Sequence, residues 1–71
     1  QVLNIDIISK QNNTVQSRVF NISGKEVYNQ ILPITKGENT YKMDVSHFAK
    51  GIYIIHLQDT NGIATDKFVV E

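Results

Sequence analysis

No cysteine and no tryptophan occur in this sequence, and proline occurs once. Without cysteine the chain has no disulfide to staple it and no thiolate to hold a metal, and its redox compartment stays open. There is no excess charge of either sign: seven Lys and Arg balance seven Asp and Glu. That balance argues against an electrostatic nucleic-acid binder, which needs clustered positive charge. No apolar run approaches the roughly 18 residues of a membrane span. No signal peptide opens the chain, which starts at Gln1 inside a strand-like run and so reads as a piece of a longer protein. Helical periodicity is nearly absent as well. What remains is one small domain, residues 1–71. A chain of this size buries only about 60% of its unfolded surface, so its core depends on accurate patterning.

What is there is β-branched and aromatic. The apolar residues come in short runs divided by Gly, Asn, Asp and Ser, which is the strand-and-turn signature. In "VLNIDIIS", Leu3, Ile5 and Ile7 share one face and alternate with Asn4 and Asp6. Polar "KQNNT" turns the chain. "VQSRVFNI" places Val15 and Val19 on one face and Phe20 and Ile22 on the other. "SGK" is a tight turn in which Gly24 supplies a positive φ. "EVYNQIL" puts Val27 and Ile31 on one face, and Pro33 is expected to end it because proline cannot donate to a ladder. "ITKGEN" reads as a loop around Gly37.

"TYKMDV" alternates again, with Tyr41, Met43 and Val45 inward. In "SHFAKG", Ser46 is placed to cap a single helical turn, with Phe48 dropping into the core and Gly51 ending the turn. "IYIIHLQ" is apolar on both faces: Tyr53, Ile55 and Leu57 on one, Ile52, Ile54 and His56 on the other. That marks a central strand covered in part on both sides. "DTNG" predicts a type I′ hairpin turn with Asn-Gly as the positive-φ pair. "IATDKFVV" closes the chain, Phe68 and Val70 sharing a face. Six to seven short strands with such turn spacing predict an all-β fold, a small antiparallel β-sandwich. It lacks the cysteines and tryptophan of antibody domains, so any immunoglobulin likeness is architectural.

The residues that carry chemistry elsewhere are sparse here. His47 and His56 fall short of the three or four convergent ligands of a zinc site, and no metal site is expected. The Asp59 turn with Asp66 lacks the alternating carboxylates of a calcium loop. Ser9, Ser17, Ser23 and Ser46 sit in no nucleophile elbow, so the domain is expected to be non-enzymatic and without cofactor. "NNT" at Asn12 and "NIS" at Asn21 fit a glycosylation pattern that polar turns also produce by chance. Tyr28, Tyr41 and Tyr53 would make a carbohydrate platform only if exposed together, and Tyr41 and Tyr53 fall on core faces. The terminal strand stands out. A free edge is a template for another chain's strand. Lys67 and Glu71 are placed to blunt it; alternatively the edge is there to be read by a partner.

From "GKEVY" onward the ordered motifs resemble the C-terminal sorting domain of the Bacteroidetes type IX secretion system, type A, and the likeness covers essentially the whole chain. The family's Pro-Asn-Pro start is absent, and "QVLNIDI" resembles the part just after it. Gly24, Lys25 and Val27 match the family's Gly-(Lys/Gln)-x-Val; Gly37 and Asn39 match Gly-x-Asn. Phe48, Gly51, Tyr53, Ile55 and Leu57 match the most specific block, an apolar residue followed by Gly-x-Tyr and an apolar strand. Gly62 is the hairpin glycine. Lys67, Phe68, Val69 and Val70 match the basic-then-apolar ending, from which Glu71 departs.

The resemblance implies an immunoglobulin-like sandwich that serves as an address for an N-terminal cargo domain. It implies an outer-membrane translocon, a barrel-shaped shuttle protein and a sortase as partners. It also implies export through the periplasm and outer membrane, to the cell surface or medium. Lys67, Phe68, Val69, Val70 and Glu71 are then the expected recognition residues. Gly24, Gly37, Asn39, Phe48, Gly51, Tyr53, Ile55, Leu57 and Gly62 are the expected structural motif. The competing reading is a carbohydrate-binding or adhesion module of a secreted enzyme; a third is a spacer without a partner.

Overall fold

The alternation read from the sequence becomes two stacked antiparallel sheets. The structure, a computed structural model, describes all residues 1–71. Six strands run in order: β1 (Val2–Ser9), β2 (Asn13–Asn21), β3 (Glu26–Ile34), β4 (Gly37–Asp44), β5 (Gly51–Asp59) and β6 (Gly62–Val70). β1 pairs with β4 in one sheet; the other has the order β3-β2-β5-β6. Every pairing is antiparallel. A two-stranded layer thus packs on a four-stranded one, a small β-sandwich.

The core lies between these layers because period-two alternation turns one side of every strand inward. Ile5, Met43 and Val45 from the smaller layer meet Val19, Tyr53, Ile55 and Val70 from the larger one, all buried. Val15, Leu32 and Ile34 form a second buried group, joined to the first through Ile7, Tyr41 and Leu57. Each such aliphatic side chain contributes about 1.5–3 kcal/mol when fully buried. Ser17 is the one buried polar residue, and its Oγ finds no partner.

Several local expectations change. Pro33 does not end β3, which continues to Ile34. β3 is an outer strand of its sheet, where a missing N–H on the solvent side costs no ladder bond. Val27 and Ile31 do share a face, but it is the solvent face, 38% and 64% exposed; Leu32 and Ile34 face the core. Gly37 opens β4 rather than centring a loop. The segment after β4 forms a turn without helix. Asp44, not Ser46, supplies the capping oxygen: its Oδ1 accepts from Ser46 N at 2.9 Å. Phe48 still packs against the core.

β5 is central as expected, between β2 and β6. Its second face is not covered by another layer, and Ile52 and Ile54 remain 42% and 36% exposed. The β5–β6 hairpin pairs Asp59 with Gly62, which puts Thr60 and Asn61 at the turn. No non-glycine residue has positive φ, so Asn61 does not take the type I′ conformation. The Asp59 side chain shapes the turn instead, its Oδ1 accepting from Asn61 N at 2.7 Å. Gly24 adopts φ +87° as expected.

Candidate functional site

The terminal strand lies on an open edge. β6 pairs with β5 on one side and with no strand on the other. Its residues Gly62 to Lys67 are all exposed, Phe68 is half-buried and Val70 is buried. Paired residues on an antiparallel ladder alternate between exchanging both backbone bonds and exchanging none. The Val69 carbonyl points off the edge, since it accepts from Gln1 Nε2 at 3.0 Å. By that alternation Ile63, Thr65 and Lys67 also direct their N–H and C=O groups outward.

Gln1 is the feature that sequence reasoning missed. Its Nε2 donates to Val69 O, and its Oε1 accepts from Glu71 N at 3.1 Å. One side-chain amide thus donates to and accepts from β6, as a residue of a neighbouring strand does through its own N–H and C=O. The partners are 68 and 70 positions away in sequence, so no local pattern foretells the contact.

The Gly-x-Tyr block anchors this edge from within. Gly51 starts β5, and Tyr53, one further turn of the pleat along, faces the core at 6% exposure. Its ring stacks on Phe68 with centroids 5.6 Å apart and lies 5.1 Å from Phe48. Its hydroxyl donates to Ala49 O at 2.6 Å. Tyr53 therefore ties the turn before β5 to the strand after it, with aromatic pairing and a satisfied hydroxyl. Ile55 is buried and Leu57 half-buried on the same face.

The remaining motif residues serve other turns. Gly24 sits in the β2–β3 turn, where the Asn21 side chain accepts from Ser23 N and Lys25 N at 3.1 and 2.9 Å. Asn39 holds the β3–β4 turn: Oδ1 accepts from Thr35 N at 3.0 Å and Nδ2 donates to Thr35 O at 2.8 Å. Neither touches β6, so the structure separates the motif into one aromatic anchor under the edge and two distant turn formers.

The other candidates disperse. His47 is exposed in a turn and His56 lies on the outer face of β5 against the Phe20 ring, centroids 4.8 Å apart. No group of three or more His, Cys, Asp or Glu side chains is arranged to hold a metal ion. Asp44 titrates below its ordinary value, held there by the Ser46 hydroxyl and backbone N–H. Tyr28, Tyr41 and Tyr53 all pack against the core, and Tyr41 OH donates to Pro33 O. The exposed aromatic platform required by the carbohydrate reading is not formed.

Fold and edge together define an all-β module with an accessible terminal strand. The family model of the secretion system C-terminal sorting domain matches residues 1–71, and the chain belongs to that family, the sorting domains of type IX secretion. No curated protein and no solved structure matched it. The domain is therefore a type IX secretion sorting signal, which implies an N-terminal cargo, a secretion machinery and export from the cell. No helix is long and apolar enough to cross a membrane.

Proposed function

We propose that β6 is the element by which this domain is read. Lys67, Phe68, Val69, Val70 and Glu71 present an edge to the outer-membrane translocon and its barrel-shaped shuttle, and a sortase then removes the domain from its cargo. The cargo ends at the cell surface or in the medium. The observation that carries this reading is the outward backbone of β6: it is a ready template for strand addition, and the Gln1 amide already uses it in that manner. The Tyr53–Phe68 stack supports the edge from inside, so Gly51, Tyr53, Ile55 and Leu57 act by holding β6 rather than by touching a partner. Residues 1–71 act as one sorting unit.

The test is an export assay. The domain is fused behind a signal peptide and a fluorescent cargo in a Bacteroidetes host with or without a working type IX translocon. Cargo reaching the surface or medium only with the translocon supports the reading. Deleting residues 67–71 is expected to leave cargo in the periplasm. Normal export of the truncated fusion, or retention of the intact fusion in both hosts, overturns it.

A further inference from the structure

The smaller sheet covers only the inner side of the larger one. On the outer side the registers line four side chains into one row across all four strands. Glu26 lies opposite Phe20, Phe20 opposite Ile54, and Ile54 opposite Lys67. Residues opposite one another on antiparallel strands share a face, so the row reads acid, aromatic, aliphatic, base. Two contacts fix its left half on the outer side: Glu26 Oε1 meets Arg18 Nε at 3.5 Å, and the Phe20 ring lies against His56. Ile52 and Val69 form the next outer pair. Ile52, Ile54 and Val69 are 42%, 36% and 51% exposed. Beyond the row on its other side, Asn29, Arg18, His56 and Thr65 make a polar rim.

The order of the row names what covers it. Glu26 and Lys67 stand at its two ends, about 14 Å apart at the spacing of strands, with Phe20 and Ile54 between them. A second copy, turned over about a two-fold axis that runs along the strands between β2 and β5, brings the same row in reverse. Its Lys67 meets Glu26, its Glu26 meets Lys67, and the Phe20 and Ile54 side chains of both copies pack together. A two-fold axis across the strands sets Lys67 on Lys67 and Glu26 on Glu26, so the charges select the first arrangement. Both groups are free to take part. Arg18 engages one oxygen of Glu26, and Lys67 belongs to no ion pair within the chain.

We propose that the outer face of the larger sheet is a self-complementary interface through which two copies of this domain pair face to face in solution. The contact is isologous, with the two sheets about 10 Å apart in aligned packing. Four strands over about eight residues offer about 19 by 26 Å, which is about 500 Å² per copy and about 1,000 Å² in all, the lower bound of a specific interface. The dimer is therefore weak, with a dissociation constant on the order of 100 μM. The apolar centre supplies the attraction and the two ion pairs set the orientation. The outward backbone of β6 stays free in this arrangement.

The test is sedimentation equilibrium of the 71-residue chain from about 10 μM to about 1 mM, a decade either side of that constant. The average mass is expected to rise from monomer toward dimer. Glu26→Lys alone, or Lys67→Glu alone, sets like charges together at both ends of the row and should weaken association about tenfold or more. An equimolar mixture of the two variants should restore it, and so should the double variant Glu26→Lys with Lys67→Glu. In methyl NMR spectra the Ile52, Ile54 and Val69 signals should shift with concentration, while amide exchange at Ile63 and Thr65 stays unchanged. A chain that remains monomeric at the highest concentration, charge reversals without effect, or a mixture that fails to associate overturns the proposal. Slowed exchange at Ile63 and Thr65 also overturns it, because that marks pairing through the β6 edge. No secretion machinery enters the measurement, so this proposal and the export reading fail separately.

Discussion

The larger sheet has two outer strands, and they are built differently. β3 buries Leu32 and Ile34, carries Pro33 within its span, and is held from the other layer by the Tyr41 hydroxyl. β6 has no proline, buries only Val70, and is clasped at its end by one glutamine side chain. Proline on an edge strand blocks pairing by another chain. One edge of the sheet is thus closed by packing and chemistry, while the other depends on the aromatic stack beneath it and stays available. An edge left open in a domain with few buried residues is a liability unless a partner uses it, and that asymmetry is the structural content of the sorting reading.

Several experiments break or sharpen this contrast. The largest stability effect is expected on the closed side: Leu32→Ala should cost about 2–4 kcal/mol by leaving a cavity, against less than about 0.5 kcal/mol for Ile63→Ala on the open strand. Equal losses in urea unfolding would erase the distinction. Next is Gly51→Val, expected to cost about 1–3 kcal/mol, because φ there is +152° and a side chain resists it. A Cβ at that position meets nothing within 4 Å, so Gly51→Ala should lose nearly as much. A neutral Gly51→Ala would refute the backbone explanation.

Ser17→Ala should raise stability by about 0.5–1 kcal/mol, since it removes a buried hydroxyl that bonds to nothing; a drop in melting temperature would count against that. Gln1→Ala should change global stability by less than about 0.5 kcal/mol yet speed exchange at the Glu71 amide several-fold, reporting the release of the β6 edge. The smallest effect concerns Asp44. Its folded-state pKa is lowered by the Ser46 hydroxyl and backbone N–H, so its contribution is present above the unfolded value and is lost as pH falls through the folded one. In Ser46→Ala the Asp44 titration midpoint should rise; an unchanged midpoint would show that Ser46 does not set it.

Strand identity was legible from the residues because period-two alternation is a local property. Leu3, Ile5 and Ile7, then Tyr41, Met43 and Val45, face the core as their spacing required. The central place of β5 held, between β2 and β6, but the cover on both faces expected from its apolar pattern did not, since Ile52 and Ile54 stay exposed. Turn details were less legible. Pro33 misled because its effect depends on whether its strand is an edge, which is a tertiary fact. Asn-Gly misled because the Asp59 side chain captured the turn first.

The sequence alone determined an all-β chain, its inward faces, the family to which it belongs and the glycine and tyrosine positions that shape the end of the sheet. The tertiary structure decided which edges are open, that Tyr53 stacks on Phe68, and that Gln1 clasps the final strand. Local propensity and alternation act between neighbours in the chain. Edges and clasps arise only from the pairing of residues far apart in it, and no short window of sequence contains that information.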